Sequence, residues 1–516
     1  MKPAEKCKKL PRLAKKKLIV LTTLGVSLTA LATICFVMDP VYLIAKYQMR
    51  VAPGFQLYDI LRGEIDGAYV SAYLFNVTNA REFISGEDRQ LKVQEFGPFT
   101  YQEKRLNKNF EVDEEAQELY YQPYVTATFL PEISIADPAH VNITIPNTAL
   151  LAIATAISTN TFWSQLGLNL LTTKFNSKAV LTLPVKDYLW GYEEPLLAFG
   201  NAIMPGWINF RRLGLMDRLY DNTRDYRIEL DLREETKFQI KRVNGGGGLP
   251  YWGYEDSTKR TRCNTFVDTY EGFSYPPGLS PEKPIRLFRN VFCRIIELEY
   301  VGITELDYGP EAYLYKIGNH TYCKNPDTEC LCSRLGCVDG LSDLSPCFYG
   351  LPVMMSNAHF YGADPKLYER IDGIAPEEGK HGSAFLIEPK LGTELFTSMT
   401  FQLNVPVPDV GFNPPARPFS NMTVPIAYFK VIQPELKDDV KRVFWLVYVA
   451  GPYVMLALEV ALLAVGLVLL SVVLRTVFLN CLIGNGQMTF QAATPANKLC
   501  SESPLISDKH LQEAPK

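Results

Sequence analysis

Two apolar runs, one near each end, constrain this chain more than anything else in it. Leu18 to Met38 carries no charge over 21 residues, and about 20 residues of helix span a hydrocarbon core of roughly 30 Å. Lys2, Lys6, Lys8, Lys9, Arg12, Lys15, Lys16 and Lys17 precede it against a single acid, Glu5. That bias predicts a cytoplasmic basic segment over 1–17 and a span over 18–38. A cleaved signal peptide has a shorter apolar region and a small-residue cleavage site; Asp39-Pro40 follows here, and an uncleaved anchor is the better reading. Val443 to Leu474 is apolar except for Glu459 and is too long for one perpendicular helix. Gly451-Pro452 divides it, leaving a second span at 453–474, Arg475 as its cytoplasmic stop and a cytoplasmic tail over 475–516. Glu459 lies about two turns from the outer boundary and suits contact with headgroups or a partner helix, a pore or proton relay being the functional alternative.

The intervening 39–452 then lies outside the cytoplasm, and its residues agree. Four sequons, at Asn76, Asn142, Asn319 and Asn421, all fall there, as lumenal glycosylation requires. Seven of the eleven cysteines do too: Cys263, Cys293, Cys323, Cys330, Cys332, Cys337 and Cys347. Their irregular spacing and an oxidising compartment favour disulfides over zinc, with one thiol left over or paired with another chain. Cys7 and Cys481 sit where an acyl chain can enter the inner leaflet, which makes them candidate palmitoylation sites, an unmodified thiol being the alternative. A net charge of −4 gives no support to an extended nucleic-acid surface. The chain has no HExxH, GxSxG, GxGxxG or Walker loop, and His140, His320, His359, His381 and His510 are scattered without metal spacing. No catalytic centre, metal or cofactor is expected.

Strand signals dominate the middle. Tyr226 to Arg233 alternates apolar and charged residues, and Thr236 to Val243 carries Phe238 and Ile240 on one parity, which predicts a hairpin with one buried face. Gly245 to Gly248 reads as a flexible surface turn. Further strands are expected at Leu91 to Tyr101, Ala312 to Ile317, Thr400 to Val405 and Val424 to Val431. Short strands separated by Pro and Gly favour an antiparallel barrel or sandwich. One stretch differs: no charge occurs between Asp137 and Lys174, and Asn147 to Leu171 looks helical, with Ala149 to Ile157 and Phe162 to Leu171 separated by Ser158 to Thr161. Each segment is too short to span a bilayer. A buried helical hairpin and an exposed apolar cap that touches lipid both fit.

The chain also resembles the class B scavenger receptor family, which takes in fatty acid translocase, the high-density lipoprotein receptor, the lysosomal integral membrane protein and insect sensory neuron membrane proteins. The likeness runs through LFNVTNARE from Leu74, EFGPFTYQE from Glu95, YLWGYEEPLL from Tyr188, LPYWGYED from Leu249, Pro276-Pro277, and ERIDGIAPEEGKHGSAFLIEPKLG from Glu369. The Cys263 to Tyr275 segment departs from it, with Val-Asp-Thr-Tyr-Glu-Gly where a Gly-Thr-Asp-Gly-like run is common. The resemblance implies an α+β fold: a large antiparallel β-barrel ectodomain with an apical helical bundle and an internal apolar tunnel, flanked by two transmembrane helices. It implies lipid binding and transfer without covalent chemistry. The ligands would be fatty acid, sterol ester, carotenoid or phospholipid, or lipoprotein particles; a homo-oligomer is compatible with this. The location would be the plasma membrane or the endosome and lysosome.

Carried over residue by residue, the resemblance pairs Cys263 with Cys330, Cys293 with Cys347 and Cys332 with Cys337. It makes Lys174 a tunnel-mouth lysine shielded by Phe162, Trp163, Leu166 and Leu170, the alternative being an ordinary cation at a helix C-terminus. Leu505-Ile506 is close to an acidic dileucine sorting signal, with Ser501 where the usual acid stands. Two other functions remain: an endolysosomal trafficking receptor of the same fold, and a two-helix ligand-gated channel, for which Ala461 to Leu474 offers little polar lining.

Overall fold

The computed structural model describes residues 12–203, 208, 210–222, 226–323, 325, 328–332, 336–348 and 350–486; Cys7, Leu505 and Ile506 lie outside them. The chain falls into two compact units, one formed by 1–41 with 451–516 and the other by 42–450.

Helices Arg12–Met38 and Gly451–Gly486 make the first unit and pack against each other. Both are long and apolar enough to cross a membrane. Small residues set their contact: a Cβ on Gly466 would meet Thr29 Cγ2 at 2.6 Å and the Gly25 carbonyl oxygen at 3.0 Å. Close backbone approach is how helices gain attraction in lipid, where burying apolar surface gives no drive. Glu459 is half-buried one heptad before Gly466, on the stripe turned to the partner helix. The second of these helices runs on past Arg475 to Gly486, which puts the backbone of Cys481 inside it.

The second unit is built on twelve strands: β1 (Glu64–Val77), β2 (Leu91–Asp113), β3 (Glu118–Phe129), β4 (Ile228–Asp231), β5 (Ile240–Val243), β6 (Thr269–Tyr270), β7 (Ile285–Arg289), β8 (Arg294–Glu305), β9 (Glu311–Ile317), β10 (Ala384–Glu388), β11 (Thr393–Val407) and β12 (Met422–Ile432). Their order in the sheet is β6 through β12, then β1 through β5, which is the chain order read in a circle. Neighbours are antiparallel except β6 and β7. An antiparallel bridge between Gln239 and Tyr270 nearly closes the sheet at its remaining edge, and Gln239 Nε2 donates to the Tyr270 hydroxyl at 3.1 Å. The result is a barrel-like sheet with helices. β12, MTVPIAYFKVI, shows why these residues form staves: β-branched and aromatic side chains fill both faces of a strand buried from Val424 to Phe429.

A charged clamp crosses this barrel. Arg105 of β2 holds Glu271, just beyond β6, through two contacts, Nη1 to Oε1 at 2.8 Å and Nη2 to Oε2 at 3.0 Å. The hydroxyl of Tyr121 on β3 donates to the same carboxylate. Arg105 Nε also donates to Asn107 Oδ1 at 2.9 Å, and Asn107 in turn donates to the Leu61 carbonyl at 2.8 Å.

Two expectations change. The hairpin forms as β4 and β5, but its first strand has no solvent face: Ile228, Glu229, Leu230 and Asp231 are all buried, while Arg242 of the second is exposed. Charge alternation there serves pairing, Glu229 with Arg242 and Asp231 with Arg233. Burial pushes the Asp231 carboxyl up, but Arg233 and Thr236 outweigh it and hold it below its ordinary range. The glycine run is not a free turn, since bridges join Val243 to Gly246 and Gly248 to Thr265. Gly248 lies against the Tyr254 ring and the Asn264 backbone with no room for a Cβ.

Candidate functional site

The uncharged stretch folds into helices Thr148–Ile157 and Phe162–Lys174, the first and second cap helices; Pro195–Ile203 is the third. The first is buried from Thr148 to Thr155. Asn147 starts it: its Oδ1 accepts from the Leu150 N–H at 3.1 Å while its Nδ2 reaches the Lys178 carbonyl at 3.0 Å and Glu194 Oε1 at 3.4 Å. Glu194 caps the third helix, accepting from the Leu196 and Leu197 N–H groups at 2.6 and 3.3 Å. One buried polar pair therefore satisfies two helix N-termini. Burial raises the Glu194 carboxyl above its ordinary range despite these bonds.

The second helix has three faces. Asn169 and Thr172 bond to the loop beyond β11, Asn169 to the Phe412 carbonyl at 2.6 Å and both to Asn413. Gly167, Leu168 and Leu171 turn to a cavity of about 1060 Å³. Phe162, Trp163 and Leu170 point outward, 68%, 75% and 65% exposed. The stretch is thus a buried hairpin only in its first helix; the second exposes apolar side chains.

The cavity is walled by Ile153 and Ile157 of the first helix, Leu196, Phe199 and Ile203 of the third, and Tyr251, Trp252, Cys330 and Cys332 opposite. Among the described residues that line it, Lys259 is the sole formal charge. Thr155, also in the wall, is 1% exposed and its hydroxyl has no hydrogen-bond partner. A smaller void of about 30 Å³ borders the first and third helices at Ala152 and Leu197 and reaches Leu403 of β11 and Ile426 of β12.

Lys174 is the last residue of the second helix, exposed, with Nζ 5.7 Å from the Phe175 ring centroid. Neither it nor Phe162, Trp163, Leu166 or Leu170 is among the residues lining the cavity; these form the outer side of the cap. Sequence reasoning missed the inner wall, although Leu168 and Leu171 carried a signal: they stand three apart on a helix face distinct from that of Trp163 and Leu170. The structure joins Cys263 to Cys330, Cys293 to Cys347 and Cys332 to Cys337, with Cα separations of 6.1, 5.9 and 5.2 Å. Cys323 is exposed and lies outside these three. Asn142 and Asn421 are exposed; Asn76 is half-buried on β1, its Oδ1 accepting from the Thr144 N–H at 3.0 Å. The backbone of Asn319 opens a short 3-10 turn.

A second cluster was not legible as one. Glu95, His359 and His381 bring their potential ligand atoms within 4.8 Å of one another. The tautomers speak against a metal. His359 Nδ1 accepts from the Ala375 N–H at 3.1 Å and His381 Nδ1 from the Glu377 N–H at 3.0 Å, so each ring keeps its proton on Nε2, the nitrogen that would have to coordinate. A metal-bound imidazole instead donates its other N–H.

The sequence model of the CD36 family matches residues 20–477. The chain is 25% identical to Scavenger receptor class B member 1 of Bos taurus over 415 residues, 78% of each chain. It is 25% identical to Lysosome membrane protein 2 of Homo sapiens over 405 residues, 76% of this chain and 81% of that one. Likeness to Protein peste of Drosophila melanogaster is 25% over 354 residues, 66% and 61% of the two chains. With a nearly closed barrel, helices over it and two apolar end helices, the chain belongs to the CD36 family, the class B scavenger receptors, which are receptors and not enzymes.

Proposed function

We propose that the chain is a two-span lipid receptor with both termini cytoplasmic, which binds lipids or lipoprotein particles at the exposed cap and passes lipid through its ectodomain to the bilayer. One observation carries this reading: a cavity of about 1060 Å³, walled by apolar side chains, directly behind a helix that exposes Phe162, Trp163 and Leu170. That volume is at the upper end of pockets for drug-sized ligands, roughly 300 to 1,000 Å³. Burying an acyl chain there gains about 0.8 kcal/mol per CH₂. Lipid extracted from the purified chain and identified by mass spectrometry tests the proposal; a chain that carries no lipid at stoichiometric level would overturn it.

The polar lining separates two cations. A carboxylate or phosphate headgroup would meet Lys259, and Lys259→Ala is expected to weaken anionic amphiphiles by about 1 kcal/mol, roughly fivefold, as suits a partly solvated charged contact. Neutral sterol esters should be unaffected. Lys174→Ala, on the outer side, should change neither class; selective loss of fatty acid in that variant would return the headgroup to Lys174. Competition of labelled fatty acid and sterol ester for the purified chain reads both. Likeness to Lysosome membrane protein 2 favours a second reading, endolysosomal trafficking from the same fold, and steady-state location distinguishes it from residence at the plasma membrane.

A further inference from the structure

His359 lies in the short turn Ala358–Phe360 with φ of 50°, and its ring stacks on His381 at 4.2 Å between centroids and 15° between planes. Both rings are buried, 3% and 1% exposed. Each offers Nδ1 to a backbone N–H of one exposed segment, residues 375–380: His359 to Ala375 and His381 to Glu377. His359 Nε2 then donates to Glu95 Oε2 at 2.9 Å, while His381 Nε2 has no partner. A second proton on the His381 ring can go only to Nδ1, where the Glu377 N–H already points. Protonation and the segment's hydrogen bond exclude each other. We propose that His381 forms an acid-sensitive latch that holds segment 375–380 closed while its ring is neutral and releases it on acidification.

The surroundings keep the latch closed near neutral pH. Lys380 reaches Glu95 Oε1 at 3.0 Å, and Lys430 of β12 adds a second cation nearby. Tyr428 of β12 faces both rings, at 5.4 and 5.7 Å, and stacks on Tyr73 of β1. From β11, Gln402 Oε1 accepts the His359 N–H at 2.8 Å and Thr400 donates to the His381 carbonyl. Burial first, then His359 and Lys380, holds the His381 ring down at about 4 against an ordinary 6.5. Burial alone would raise Glu95, but His359 and Lys380 outweigh it and hold that carboxyl at about 2, so it stays ionised throughout.

The sign follows from proton counting. The released ring binds its proton with an ordinary pKa of 6.5 and the latched ring only near 4, so opening is favoured progressively as pH falls between these values and is flat outside them. From about pH 7.4 to about pH 5 the open fraction should rise roughly 25-fold. Hydrogen exchange of the full chain in detergent, at the Glu377 amide and divided by intrinsic chemical rates, measures it. His381→Gln keeps an acceptor for the Glu377 N–H that does not titrate, and its opening should be insensitive to pH. The proposal is overturned by equal wild-type protection at the two pH values, by an unchanged rise in His381→Gln, or by the same rise at β12 amides, which would mark global unfolding.

Discussion

Gly167→Trp is expected to cut bound lipid by roughly tenfold or more while the chain remains folded. Gly167 lines the cavity, and a Cβ placed there meets no atom within 4 Å. An indole would therefore grow into open space that a ligand needs, without displacing a packed neighbour. Overfilling an apolar site costs about 1 to 3 kcal/mol, and about 1.4 kcal/mol is tenfold in affinity. Replacing a helical glycine also favours the helix by up to about 1 kcal/mol, so loss of binding will not reflect loss of the cap. Lipid per mole of purified chain is the readout, with uptake of labelled lipid by cells beside it. Unchanged occupancy at normal expression would remove the cavity from the pathway.

Glu271→Ala should destabilise the second unit by about 3 to 5 kcal/mol. Glu271 is paired through both carboxylate oxygens with Arg105 and accepts from Tyr121, with 11% and 21% of the two charged side chains exposed. Removing one partner of a buried pair strands the other charge, the large term in such losses. Replacing both, as Arg105→Met with Glu271→Leu, should recover much of it. Burial pushes the Glu271 carboxyl up, but Arg105 and Tyr121 more than offset it and leave it below the ordinary range. The wild-type advantage is then present above that range and lost as pH falls through the folded-state pKa. Thermal unfolding in detergent across pH checks both parts; a variant that melts with the wild type would show that the clamp adds no stability.

What the sequence made legible had local causes. The cap helices could be bounded because Ser158 to Thr161 interrupts an uncharged stretch, and the long staves because β-branched and aromatic residues crowd them. What it hid depends on distant partners. Alternating charge in Tyr226 to Arg233 reads as a solvent face until Arg242 and Arg233 are seen to pair with Glu229 and Asp231. Lys259 stands with Arg260 and Arg262 in the sequence, and only the fold brings it to the cavity wall. His359 and His381 have no spacing that suggests a pair, and Glu95 lies far from both in the chain. The pair exists because the turn Ala358–Phe360, the segment before β10 and β2 converge.

The circular strand order sets a timetable for biosynthesis. Every stave pairs with the next in chain order, β4 reaching β3 only after the cap has been made, except that β1 must wait for β12, with which it pairs from Tyr69 to Leu74. Several hundred residues separate the two, and at 5 to 20 residues per second the ribosome needs roughly 20 to 70 s to supply the missing strand. Throughout that interval the free edge of β1 is open to pairing with a second nascent copy, so the last strand of the sheet to be translated is also the one that shields the first.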